Sequence, residues 1–219
     1  MIYATGDLVE LASLAYAKYL QPFTGELEMG EDYSEVHLDG VELDAAQAGG
    51  VRLSESAMSS VTLAGGNFDR VRLDDVWISR CRWIGGSWAE TSLLNVFLLD
   101  SVLAGVQAYG SQWRRVVIRD CKIDSLNLRG ARLQDVEFRD CDLTEVDFSD
   151  ATLIGVTFPG SAIRRARFHK ATVKKLDLRG ARELDVALGW DSLKGAVIAE
   201  HQLAEAAPAL AATLGIVVR

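Results

Sequence analysis

Three cysteines, three histidines, a column of aspartates and a strip of outward aromatics are the residues of this chain whose types and spacing could do chemistry. Cys81, Cys121 and Cys141 lie forty and twenty residues apart, and Ser101 fills the gap between the first two. If twenty residues make one layer, Cys121 and Cys141 are neighbours about 4.8 Å apart with parallel Cβ vectors. A disulfide wants Cβ atoms about 3.8 Å apart and turned toward each other, so the pair reads as two buried thiols packed as small hydrophobes. His37, His169 and His201 are too far apart along the chain to converge on a metal, and no metal or other cofactor is expected. No phosphate-binding glycine loop, zinc motif or nucleophile elbow is present, and paired carboxylates occur only as surface ladders. No catalytic residue is assigned and the chain reads as a non-enzyme, because outward side chains on a convex surface cannot enclose a substrate.

Two outward features remain. Trp77, Phe97 and Val117, each twenty residues from the next, stack on one outer face beside Leu99 and Leu94. Apolar residues at positions that should be polar mark a partner-binding surface; alternatively they seat the N-terminal segment or stiffen the layers. Asp100, Asp120 and Asp140 form a carboxylate column on the same face. Arg119 and Arg139 alternate with it, which suits a solvated mixed-charge ladder better than a continuous anionic stripe.

These residues are positioned by a five-residue period that holds from Val36 to Ala181. Every residue whose number leaves remainder three on division by five, from Leu38 to Leu178, is apolar, about 29 positions in all. With 49% of the chain hydrophobic, chance would produce that column roughly once in a billion trials. The residue two places earlier (Val36, Val41, Val51, Val61, Cys81) is small, branched or weakly polar and never charged. Positions i−2 and i point to one side of an extended stretch, and the other three must turn the chain so that the next pair points inward again. The backbone therefore wraps around an axis that collects the inward side chains, and each coil hydrogen-bonds to its neighbours. Glycine at i+2, as in Gly40, Gly65, Gly105 and Gly130, suits the corners.

The runs Leu126-Asn127-Leu128-Arg129-Gly130, Ala131-Arg132-Leu133-Gln134-Asp135 and Ala151-Thr152-Leu153-Ile154-Gly155 resemble the A(D/N)LXX motif of pentapeptide-repeat proteins. The resemblance covers about two thirds of the chain. It implies an all-β solenoid, a right-handed quadrilateral β-helix of twenty residues per coil, here about seven coils and a rod near 35 Å long. Val, Cys or Ser replaces the commoner Ala at i−2, and bulky Trp83, Trp88 and Trp113 at central positions point to a locally wider section.

The ends depart from the period. Residues 1–35 read as an N-terminal helical cap and loop: Asp7 and Glu10 form a capping box for a helix through Leu8, Leu11, Leu14, Ala15 and Tyr19, stopped at Gln21-Pro22. The solenoid is assigned to 36–195. Its period falters at Glu183, in an inward column, and resumes at Val186, Leu188 and Leu193. Residues 196–219 read as a helical tail in which Leu203, Ala206, Ala207, Leu210 and Leu214 follow helical spacing. Pro208 interrupts or restarts that helix and Gly215 closes it, with Val197-Ile198 and Ile216-Val217-Val218 as short flanking strands. The tail pattern LxGAxI…QL…LG resembles that of actinobacterial-type pentapeptide proteins. In some relatives such a helix pairs two rods, so Leu203, Leu210 and Leu214 are dimerisation candidates, with a monomeric cap as the equal alternative.

The 219 residues carry a net charge of −8, with a pI of about 4.9, which disfavours direct nucleic-acid binding. Nothing approaches a membrane span, and Met1–Thr5 lacks the basic start of a signal peptide, so a cytoplasmic location is expected. The resemblance implies a protein-interaction scaffold whose partner the sequence does not name. The second implication comes from quinolone-resistance members of the family, which resemble B-DNA and occupy the DNA-binding saddle of a type II topoisomerase. As such a DNA mimic the chain would bind DNA gyrase through Asp100, Asp120 and Asp140. Against it, the carboxylates cluster near the N-terminus, and the other end is basic, through Arg164, Arg165, Arg167, Lys170, Lys174 and Lys175.

Overall fold

The computed structural model describes residues 9–217. The period becomes a parallel β-solenoid of about eight turns, one more than the repeat count suggests. The added turn comes from the chain ahead of Val36, where Gln21–Pro22 pairs with Val36–Asp39 and Asp32–Ser34 pairs with Arg52–Ser59. Between these first strands and the last coil, strands pair in parallel with those twenty residues on, as in Trp77↔Phe97 and Val117↔Glu137.

Four faces result, each defined by its inward column. The first runs from Leu53 to Val173 and the second from Leu38 to Leu178. Eight-residue strands such as Arg72–Ser79, Ser92–Leu99, Gln112–Arg119 and Arg132–Arg139 cross both in one sheet. The third face carries three-residue strands such as Val102–Ala104 and Lys122–Asp124 in a second sheet. The fourth is held by single bridges from Gln47 through Asn67, Ser87, Gln107 and Asn127 to Asp147.

Corners fall at i+2 and require positive φ whether or not glycine is present. Asp100, Asp120, Asp140 and Arg165 have φ of 48°, 53°, 51° and 56°. Left-handed backbone is tolerated best by Gly, Asn and Asp, which is one structural reason for aspartate there.

The inward columns form one continuous core. The Phe138–Phe158 and Phe148–Phe168 pairs stack at 5.1 Å. Trp83 stacks on Trp88 at 4.3 Å, and Trp88 on Phe68 at 4.6 Å. Small neighbours make that stack fit. Ala48 and Ala108 flank Phe68 and Trp88 in the fourth-face column, and Gly66 stands at i−2, where a Cβ would lie 2.6 Å from the Ala46 carbonyl oxygen.

The ends differ from the sequence reading in three respects. In place of an N-terminal helix there are two short 3-10 turns, Leu11–Ser13 and Ala17–Tyr19; Asp7 and Leu8 lie outside the described residues. Leu14 between the turns is extended (φ −80°, ψ 140°) and buried, so the segment lies flat along the rod rather than standing as a cylinder. At the other end one extra residue enters the last coil, so that Ala162 pairs with Glu183 and Ile163 with Leu184. Leu184 therefore takes the inward place, Glu183 faces out and Leu188 is exposed, which corrects the expected resumption at Leu188. The tail helix, Glu200–Thr213, continues through Pro208 and ends at Gly215, whose φ is 72°.

Candidate functional site

The outer strip of the second face is an apolar ladder four coils deep, with Ala57, Trp77, Phe97 and Val117 side by side in register. The structure answers the question of what lies over it: the chain's own N-terminal segment does. Leu14, Ala57, Trp77, Phe97 and Leu99 form a second buried cluster, with Val9, Leu11, Tyr16, Ala17, Leu20 and Val117 packed around it. Trp77 donates its indole Nε1–H to the Val9 carbonyl at 2.9 Å. Trp77 is only 7% exposed, and Phe97 and Leu99 are each 5% exposed. The strip thus has an occupant in this state, and a partner would reach it only by displacing Val9–Leu20. Leu94 is elsewhere, on the first face, because one residue along a strand reverses the side-chain direction and the corner at Asn95 separates the faces.

Asp100, Asp120 and Asp140 are exposed at the corner between the second and third faces. Arg119 Nε lies 3.1 Å from Asp120, while Arg139 Nε lies 2.6 Å from Glu137. Arg80 precedes the column and Gly160 follows it, so the acid is confined to three coils.

The thiol corner does more than fill space. The Cys81 backbone N–H donates to Ser101 Oγ at 2.9 Å, the Ser101 N–H to Cys121 Sγ at 3.4 Å, and the Cys141 N–H to Ser161 Oγ at 2.9 Å. Cys and Ser at i−2 therefore satisfy backbone donors at a corner where strand pairing is interrupted, which explains their exchange for Val or Ala. The three thiols are free and buried. Burial pushes the Cys81 thiol up to about 11. A hydrogen bond with Cys141, and then burial, raise Cys121.

At the C-terminal end the helix docks through its smaller face. Gln202, 2% exposed, donates through Nε2 to the Leu178 and Ala181 carbonyls at 2.8 and 3.0 Å. Its Oε1 accepts from the Ala199 N–H at 2.8 Å. One side chain so closes the last coil and starts the helix; only its place at N3 of a helix start hinted at this in the sequence. Leu203 and Leu214 remain exposed and Leu210 half-buried along the flank of that docked stripe.

Residues 101–168 match the family described as pentapeptide repeat region. That segment is a pentapeptide-repeat region, and the same parallel β-solenoid continues on both sides of it. No curated protein matches it by sequence. Among solved structures it is similar to a trypsin-treated form of QnrB1, a plasmid-mediated fluoroquinolone resistance protein. That pair is 16% identical, covers 90% of this chain and 96% of the other, and has a TM-score of 0.41. It is also similar to Rfr23 from the cyanobacterium Cyanothece 51142, at 17% identity, with 60% and 90% coverage and a TM-score of 0.38. HetL of Nostoc sp. strain PCC 7120, a protein involved in heterocyst differentiation regulation, is 17% identical, with 80% and 93% coverage and a TM-score of 0.22.

The remaining polar chemistry of this solenoid is that of surface ladders. Asp142 receives Arg182 and Arg164 (3.3 Å), and Arg164 also pairs with Glu183 at 2.8 Å, which ties the displaced last coil to the one before it. The guanidiniums of Arg182 and then Arg164 hold the Asp142 carboxyl below its ordinary range. Among the described residues no three His, Cys, Asp or Glu side chains gather as a metal site. His37 contacts Ser59 Oγ at 2.7 Å. No described helix is long and apolar enough to cross a membrane.

Proposed function

We propose that this protein is a non-enzymatic interaction scaffold of the cytoplasm, recognised through its outer faces. The observation that carries the reading is the filled interior: the inward columns from Leu38 to Leu178 pack into one core and leave ligands only the convex surface. Trp77, Phe97, Leu99 and Val117 form the strongest apolar contact surface, and its cover lacks regular structure beyond two short turns. A protein partner able to displace that cover would meet a rigid, flat apolar ladder, the kind of anchor that carries interface energy. Three free, buried thiols suit a reducing compartment.

A second copy of the chain is the proposed partner of the tail. The helix turns Gln202 and Ala206 onto the solenoid and leaves Leu203 (49% exposed) and Leu214 (74% exposed) outward. A helix that docks by small and polar side chains and leaves its leucines on the uncovered flank keeps them for another surface.

The alternative reading, a DNA mimic acting on DNA gyrase, draws on the net charge of −8 and the exposed Asp100, Asp120 and Asp140. The shortness of that column argues against it, since a DNA-binding saddle is built to meet phosphates along its whole length. Supercoiling by purified gyrase, titrated with the protein at several salt concentrations, separates the readings. Under the scaffold reading supercoiling is unaffected. Salt-sensitive inhibition that disappears when all three aspartates become Asn establishes the mimic instead.

A further inference from the structure

The first face holds a cavity of about 260 Å³ that the scaffold reading does not use. It is a trough across the strands Ser92–Leu99, Gln112–Arg119 and Arg132–Arg139, floored at Trp113 and walled by Leu94, Gln112, Arg114, Arg132 and Gln134. In register Gln112 sits beside Arg132 and Arg114 beside Gln134, so the two guanidiniums stand on one diagonal, about 8 Å apart at Cα, and the two amides on the other. No carboxylate lines the trough.

Two observations point to a ligand here. First, neither Arg114 nor Arg132 has an ion-pair partner among the described residues, whereas Arg52, Arg164, Arg165 and Arg182 on the same rod all do. Second, the face runs against the charge of the chain. Its outward positions from 52 to 174 carry Arg52, Arg72, Arg114, Arg132 and Lys174 against one carboxylate, Asp74, on a protein of net charge −8.

We propose that this trough binds carboxylates, two at a time, one on each guanidinium, with Gln112 and Gln134 hydrogen-bonding the outer oxygens. Guanidinium and carboxylate are both planar and meet through two parallel hydrogen bonds. Tetrahedral phosphate is served better by converging backbone N–H groups, and here those are taken by the inter-coil ladder: the Gln112 N–H donates to the Thr91 carbonyl and the Arg132 N–H to the Ser111 carbonyl, both at 2.8 Å. The volume lies below that of drug-sized sites and suits a small dicarboxylate or two acidic side chains of one extended peptide.

Calorimetric titration of the full-length protein at low ionic strength with glutarate, and separately with a short peptide of alternating Asp and Glu, tests this. Glutaramide is the uncharged control. Saturable binding of glutarate, of the peptide or of both is expected, weakened about tenfold or more in Arg114→Gln/Arg132→Gln and unchanged in Lys174→Gln. Those substitutions are on the surface and leave the core intact, and an unchanged melting curve verifies that. Binding of glutarate alone identifies a free dicarboxylate as ligand, and binding of the peptide an acidic segment. Absence of binding by both, equal binding of glutaramide, or equal loss in the Lys174 variant overturns the proposal.

Discussion

Replacing Trp77 by Ala should detach the N-terminal segment and leave the rod standing. The indole is 7% exposed and lies between Ala57 and Phe97 in the outer ladder, under Leu14 and its neighbours. A buried Trp covers on the order of 200 Å², so at about 25 cal/mol per Å² the contact is worth up to about 5 kcal/mol. The hydrogen bond to Val9 adds about 1 kcal/mol. Part of this area is shared with Phe97 and survives, so about 3 kcal/mol of attachment should be lost, a rise of roughly a hundredfold in the detached population. Tryptic cleavage after Lys18, inside the segment, reports that population when opening is fast relative to cleavage. Trp77→Phe keeps most of the area and loses only the hydrogen bond, so cleavage should rise by less than about tenfold. The melting midpoint should move little, because Trp77 is outside the inward columns. Unchanged cleavage in Trp77→Ala refutes the idea of a tethered cover. A midpoint drop as large as that of a core Phe→Ala variant, with Lys18 still protected, shows instead that the strip is integral to the rod.

Phe148, fully buried and stacked on Phe168, should tolerate neither Ala, at a cost of about 3–5 kcal/mol, nor Asp, which should melt the C-terminal coils, seen as lost far-UV β-signal. If the tail pairs two rods, Leu203→Ser/Leu210→Ser/Leu214→Ser should give a monomer by light scattering without a change in melting. Deleting the helix is a poorer test, since Gln202 would be lost from the end of the last coil. The depressed carboxyl of Asp142 contributes stability that is present above the ordinary Asp value and is lost as pH falls through its lowered one. Acid titration should therefore show Asp142→Asn losing less stability than the parent below about pH 4, a difference that shrinks with added salt. Cys81 should resist thiol reagents at pH 8 in the native state and react on denaturation, because burial raises it to about 11; rapid native labelling contradicts the buried corner.

Solenoid contacts are local in sequence and repeat, so the residues themselves determined the rod. A single unbroken apolar column specifies a solenoid and which side chains are outside, and the twenty-residue coil that the family resemblance implies then fixes which of them stack. Leu38 to Leu178, the Cys121–Cys141 adjacency and the Trp77–Phe97–Val117 ladder all follow from that arithmetic. The periodic pattern carries no information about what reaches the outer faces from non-periodic chain. Only the tertiary structure decided that Val9–Leu20 lies on the strip as bent 3-10 turns, where Leu14 gains burial that an isolated short helix could not supply. It alone decided that one extra residue moves Leu184 inward in place of Glu183, since a slip costs a coil little when an exposed ladder of Arg164, Arg182 and Asp142 can hold the displaced strand. It alone opened the trough between Arg114 and Arg132, because whether two outward cations find partners depends on side-chain packing across strands, which a charge count along the chain does not contain.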